Sequence, residues 1–249
     1  MTSEEKEIAK RFQELSQRAA DRFLYTQTSF LTEREQTILL SLQLPLKPRL
    51  IGGFPEAERC VAIFGEEDEL GYSWESCICL LKISPKDMKF AENLSHRDFL
   101  GAILNLGIKR ELLGDILVWE KTGYLFVLDS IATYLAENLE RVRHTAVKVS
   151  FWDELPPEVT VRLKEMEVIA ASPRLDAVIC AVWNLSRTQG QELVKKEKVT
   201  VAGRLVTDPS KELSPGNRVS VRGQGRFYYD GTGNETRSGR LHVKIRLFL

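Results

Sequence analysis

Ser172-Pro173-Arg174-Leu175-Asp176, Leu185-Ser186-Arg187 and Lys195-Lys196-Glu197-Lys198-Val199-Thr200-Val201-Ala202-Gly203 follow one another in a single short span, and their reading decides the fold. The span predicts two short helices and a strand. Ser172 can cap the first helix, with Pro173 at the first helical position, where its missing N–H costs nothing. Leu175, Val178, Ile179 and Val182 recur at helical spacing and predict one buried stripe. Ser186 opens the second helix, and Gln189 three residues on completes a capping box. Arg187, Gln191, Lys195 and Lys198 are spaced by four, four and three, so they are expected on one face, with Leu193 and Val194 turned to the core. A cationic face that begins at a helix N-terminus is suited to holding phosphate.

The order Arg174-Leu175-Asp176, then Ser186-Arg187, then a basic helix followed by Val199-Thr200-Val201-Ala202-Gly203, resembles the S4 domain, a small RNA-binding fold. The resemblance implies that Arg174, Arg187, Lys195, Lys198 and Arg204 neutralise RNA phosphates, with Ser186 and Gln191 adding directional hydrogen bonds. Asp176 is expected to support the first helical turn or orient Arg174 rather than touch RNA. Three positions depart from the usual pattern. Gly190 stands where the family has Ala, Glu197 where it has Gly, and Ala202 where it has Asn. Gly190 should weaken its helix by about 1 kcal/mol relative to Ala.

Across the 249 residues, 35 Lys and Arg balance 35 Asp and Glu, a neutrality that at first argues against nucleic acid. The distribution reverses that reading. From Arg174 to Leu249 there are fourteen Lys and Arg against seven Asp and Glu, leaving a deficit of equal size upstream. A basic C-terminal domain on an acidic body is the footprint of a nucleic-acid binder. No window is apolar enough to span a bilayer, and the polar start Met1-Thr2-Ser3-Glu4-Glu5-Lys6 does not read as a secretory signal, so the cytoplasm is expected and no membrane partner. Cys60, Cys77, Cys79 and Cys180 lack nearby His or Cys at zinc spacing and read as buried thiols.

Upstream, Ile8, Phe12, Leu15, Ala19 and Phe23 predict an amphipathic helix. Thr32-Glu33-Arg34-Glu35 is a capping box opening a second helix that Pro45 and Pro48 follow. Arg49–Phe54 and Arg59–Phe64 read as strands around a Gly52-Gly53 irregularity, and that pair is no dinucleotide fingerprint. From Cys77 to Ser150 the elements run β-α-β-β-α-β, the ferredoxin-like arrangement. RNA-recognition motifs share this layout, and Tyr124 and Phe126 fall on the strand that carries their stacking aromatics. Leu125 and Leu128 break that pattern and Cys77-Ile78-Cys79-Leu80 supplies no partner ring, so core packing is expected for both aromatics. The fold class is therefore α+β in three parts: an N-terminal α/β region over 1–70, a ferredoxin-like middle domain over 71–155, and an S4-like domain over 172–249.

The run Arg97-Asp98-Phe99-Leu100-Gly101-Ala102, continuing through Leu106-Gly107-Ile108-Lys109-Arg110-Glu111-Leu112-Leu113-Gly114-Asp115-Ile116, is similar to the central domain of the YlmH family, in which an S4 domain closes the chain. Phe30-Leu31-Thr32-Glu33-Arg34-Glu35 fits the family's N-terminal portion. Physically, Gly107 and Gly114 bracket a turn that would present Lys109 and Arg110 to a phosphate, or to Glu111 or Asp115 in a surface salt bridge. No catalytic constellation is legible: His96, His144 and His242 are scattered, no nucleophile has a suitable context, and no cofactor or metal is expected. The resemblance implies a non-enzymatic, monomeric RNA-binding protein contacting rRNA and tRNA on the large ribosomal subunit, in rescue or quality control of stalled subunits bearing peptidyl-tRNA. The alternatives are an RNA-modifying enzyme with an appended S4 domain and a protein adaptor linked to cell division.

Overall fold

Thr2 opens the first helix, α1 (Ser3–Arg22): its hydroxyl accepts from Glu5 N while the Glu5 carboxylate accepts from Thr2 N, a complete capping box. The computed structural model describes residues 2–249, which form two units, residues 2–160 and Val161–Leu249. In the first unit α1 buries Ala9, Phe12 and Ala19, whereas Phe23, expected on that stripe, caps the helix in the left-handed conformation and is exposed. Then come β1 (Thr26–Leu31), α2 (Glu33–Leu40), β2 (Arg49–Ile51), β3 (Cys60–Phe64) and the single turn α3 (Glu67–Leu70). The three strands pair antiparallel in the order β1-β3-β2. Strand β1 went unpredicted because Thr26-Gln27-Thr28-Ser29 has too little apolar alternation to signal it.

The same unit continues with β4 (Ile78–Pro85), α4 (His96–Leu104), a 3-10 turn (Arg110–Leu112), β5 (Leu113–Trp119), β6 (Thr122–Leu128), α5 (Asp129–Asn138), β7 (Arg141–Val142) and β8 (Thr145–Trp152). Strand order β5-β6-β4-β8-β7, all antiparallel, contains the ferredoxin-like sheet with a short extra strand at its edge. One face packs under α4 and α5 through Leu81, Phe99, Ile103, Leu125 and Leu135. The opposite face, which RNA-recognition motifs use for bases, is covered here. Tyr124 and Phe126 are buried among Phe30, Val61 and Ile63 from the N-terminal strands. Phe54 stacks on Phe126 with centroids 5.2 Å apart, and a Cβ on Gly53 would lie 2.2 Å from the Phe126 ring. Gly52-Gly53 is thus a close backbone approach, not a strand irregularity.

The second unit begins with one strand, β9 (Leu163–Ala170). It continues through α6 (Leu175–Trp183), α7 (Arg187–Lys195), β10 (Val199–Val201), β11 (Arg204–Leu205), β12 (Asn217–Val221), β13 (Gly225–Glu235) and β14 (Leu241–Phe248). The six strands form one antiparallel sheet, β11-β10-β12-β13-β14-β9. Leu175, Val178, Ile179 and Val194 pack on Val199, Val219, Phe227, Val243 and Ile245. Asp230–Gly239 reads in sequence as a mobile loop. In the structure β13 runs to Glu235, absorbing Gly231 and its neighbours through register shifts after Tyr229 and Thr232. The remaining turn is closed by Thr236 N donating to Arg240 O and Arg240 N to Thr236 Oγ1.

Candidate nucleic-acid interface

Helix α6 starts at Leu175, with Arg174 rather than Ser172 at the capping position. Its first amides are already used, because Leu175 N donates to Lys211 O and Asp176 N to Pro209 O. The α6 N-terminus therefore offers little to an anion. Asp176 is 2% exposed and organises the region instead. Its Oδ1 accepts from Ala177 N at 2.9 Å and from Arg174 Nε at 3.2 Å; its Oδ2 accepts from Arg174 Nη2 and Gln191 Nε2, both at 3.2 Å. A buried carboxylate with four donors is a satisfied one. Arg174 is thereby held in one orientation with its side chain still 34% exposed. Gln191, expected to face RNA, commits its amide nitrogen to the joint between α6 and α7.

Helix α7 has the expected box: Ser186 Oγ accepts from Gln189 N and Gln189 Oε1 from Ser186 N. The Ser186 hydroxyl is thus engaged as a cap. Arg187 and Lys195 are exposed on the helix, and Lys198 and Arg204 are exposed beyond it. Lys198 does not share the helical face as spacing alone predicted. The helix ends at Lys195, Glu197 adopts a left-handed φ of 56°, and Lys198 N closes the end on Leu193 O. Ala202 is also left-handed, with φ 48°. The two positions where the family pattern has Gly and Asn therefore keep the turn geometry those residues favour, at a cost in backbone strain.

Gly190 has a local cause. A Cβ there would lie 2.3 Å from Cys180 Sγ and 3.1 Å from Asp176 O, so α6 and α7 approach over a glycine because Cys180 fills the space. The thiol donates to Ser186 O at 3.2 Å, and burial pushes its pKa up.

An open groove of about 340 Å³ runs beside this joint, with Ile169, Ala181 and Leu185 among its apolar residues and Arg174, Arg187 and Arg240 bringing three guanidinium groups to it. Arg240 was missed in the sequence because it lies at the end of a glycine-rich stretch whose pairing sequence alone does not show. Some cations elsewhere in this unit are internally matched: Arg246 grips Asp230 through two bonds of 2.9 and 3.0 Å, and Lys196 meets Glu192 at 2.6 Å. Among the described residues, Arg187, Lys195 and Lys198 have no carboxylate within ion-pairing distance. Unmatched exposed cations beside matched ones are what a polyanion site requires.

In the first unit, Lys109 is exposed but Arg110 turns inward, its Nη1 donating to Leu113 O at 2.7 Å and Gly114 O at 3.1 Å. Gly114 lies in β5, under Phe30, rather than bracketing a turn. Cys77, Cys79 and Cys180 have thiols pushed up by burial, and among the described residues no group of three or more His, Cys, Asp or Glu is placed to hold a metal ion. No described helix is long and apolar enough to cross a membrane.

Residues 75–154 match the family described as "Putative RNA-binding domain in YlmH", and residues 173–219 match the S4 domain. The chain is 32% identical over 221 residues to the "Ribosome-associated protein quality control protein P2" of Bacillus subtilis (strain 168), covering 87% of this chain and 84% of that one. It is also similar to the solved structure of "Cell division protein ylmH from Streptococcus pneumoniae", at a TM-score of 0.49 and 22% identity, over 61% of this chain and 93% of that one. With both domains in order and the relative matched over most of its length, this chain belongs to the YlmH family of RNA-binding proteins with a C-terminal S4 domain.

Proposed function

We propose that the protein binds RNA at the ribosome, without catalysis, and takes part in quality control of stalled large subunits that carry peptidyl-tRNA. The observation that carries the reading is the set of exposed, unmatched cations Arg187, Lys195 and Lys198, next to Arg204 and to an Arg174 fixed by buried Asp176. Phosphates of structured rRNA and tRNA are the ligands this surface suits, because cations in fixed positions read backbone shape. Arg174, Arg187, Lys195, Lys198 and Arg204 supply the charge. Ser186 and Gln191 act through the α7 cap and the Asp176 joint, keeping those charges in register. The covered face of the middle sheet supports shape recognition over base stacking, since Tyr124 and Phe126 are buried. The protein acts as a cytoplasmic monomer, where ribosomes are found.

Co-sedimentation with purified large subunits tests this. The expected result is greater binding to subunits carrying peptidyl-tRNA than to empty ones, reduced by Arg187→Ala with an unchanged thermal midpoint. Binding that survives RNase digestion of the RNA, or that is indifferent to Arg187, would favour a protein adaptor instead.

A further inference from the structure

Arg59 is 8% exposed, yet nothing so far uses it. Its Nε donates to Leu113 O at 2.9 Å, and its Nη2 to Phe30 O at 2.9 Å and Arg110 O at 3.4 Å. Arg110 Nη1 donates to the same Leu113 oxygen at 2.7 Å. Two guanidinium groups thus converge on one carbonyl, and among the described residues neither has a carboxylate within ion-pairing distance. Buried charges in proteins are ordinarily paired with an opposite charge. Here carbonyls make the direct contacts to two cations held side by side, and the carboxylates of Asp115 and Glu58 act on both only from beyond ion-pairing distance.

Both arginines line an open groove of about 520 Å³, with Lys109 and Arg11 exposed at its rim. Glu35 and Glu111 also line it. Glu35 Oε2 is held by Thr32 N and Oγ1, both at 2.7 Å, which fixes its position while its charge still acts on Arg59. Four cations therefore face the groove against two carboxylates. Burial first, and then the neighbouring Arg59 charge, bring Arg110 down to about 10, against the opposing pull of Asp115 and Glu58. An anion between the two guanidinium groups would relieve both effects.

We propose that this groove is a second phosphate-binding site, in which a phosphate group bridges Arg59 and Arg110 with Lys109 and Arg11 closing over it. Guanidinium forks fit the tetrahedral oxygens of phosphate. The phosphate is either a phosphodiester of bound RNA or a group on a small phosphorylated molecule. Only the first option rests on the RNA-binding reading.

Amide spectra of the full-length, nitrogen-labelled chain separate these. Inorganic phosphate, titrated against chloride at fixed ionic strength, should shift Thr32, Arg59 and residues 109–112 saturably. The surface variant Arg11→Glu/Lys109→Glu, whose residues hold no core position, should weaken that response by about tenfold at an unchanged thermal midpoint. A short structured RNA in a parallel titration identifies the carrier: shifts in the same residues assign the site to RNA, and shifts with inorganic phosphate alone assign it to a small phosphorylated ligand. No response at these residues to either probe, or a response untouched by the double variant, overturns the proposal. Shifts at Arg187 and Lys195 with RNA report the S4 surface separately, so either reading can fail without the other.

Discussion

Gly190→Ala should destabilise the second unit in the natural background and stabilise it once Cys180 is also Ala. The new methyl carbon would sit 2.3 Å from Cys180 Sγ and 3.1 Å from Asp176 O, where an ordinary carbon contact needs about 3.5–4 Å. The sulfur must move by more than an ångström, giving up its bond to Ser186 O, or the helices must part. Overpacking of this kind costs about 1–3 kcal/mol. Against it stands the helix-propensity gain of Ala over Gly, about 1 kcal/mol. The net effect in the natural background is then a loss of up to about 2 kcal/mol, and for a unit of this size each kcal/mol lowers the midpoint by about 4–8 °C. With Cys180→Ala the sulfur clash vanishes and only the tighter approach to Asp176 O takes back part of the propensity gain, so the same substitution should add less than about 1 kcal/mol, a coupling of about 1–3 kcal/mol. Urea unfolding of the four proteins, followed through amides of α6 and α7, completes the cycle. A stabilising Gly190→Ala alone, or equal effects in both backgrounds, would refute the idea that Cys180 is what requires the glycine.

Other consequences follow from the same joints. Asp176→Asn removes the charge that fixes Arg174 and Gln191; with Asp176 buried but Arg174 a third exposed, the loss should be about 1–3 kcal/mol, and RNA binding should weaken as well; calorimetry and an anisotropy titration check the two effects, and a stable variant with normal affinity would contradict them. Glu197→Gly relieves a left-handed backbone and should raise stability by about 0.5–1 kcal/mol, read from the chemical denaturation midpoint. Asp98 is held below its usual value chiefly by the Ser95 hydroxyl and amide, with Arg143 adding to the effect. Its folded pKa is the lower one, so its stabilisation is present above the ordinary aspartate pKa of about 4 and fades as the pH falls through the folded value. Asp98→Asn should therefore be less stable than the natural protein at pH 7, with the gap closing in acid; a gap constant with pH would contradict the assignment.

The parts of this fold that were legible in the sequence are those where local chemistry and long-range packing agree. Ser186 and Gln189, Thr32 and Glu35, and the β-α-β-β-α-β order each carry their own signal, and the structure follows them. The departures occur where a distant segment decides. The first turn of α6 begins past Ser172 because Lys211 and Pro209 carbonyls reach its amides. Arg110 faces inward because Leu113 and Gly114 carbonyls lie behind it, and periodicity carries no sign of that. Glycine-rich Asp230–Gly239 becomes mostly strand because β14 is available to pair with it. For the candidate interface, the α7 cations were readable from spacing and charge segregation. Arg240, Arg59 and the bond from Gln191 to Asp176 were not, since each depends on which segments the fold brings together.

The central claim is that a few fixed cations of the S4 domain grip RNA phosphates, and the salt dependence of binding tests it most directly. Five cations, Arg174, Arg187, Lys195, Lys198 and Arg204, predict a log–log slope of about −4 for a structured RNA. The triple variant Arg187→Ala/Lys195→Ala/Lys198→Ala should flatten it by about 3, one for each phosphate no longer neutralised, while the thermal midpoint holds. A slope near zero in the natural protein, or one that the triple variant leaves unchanged, would contradict the account.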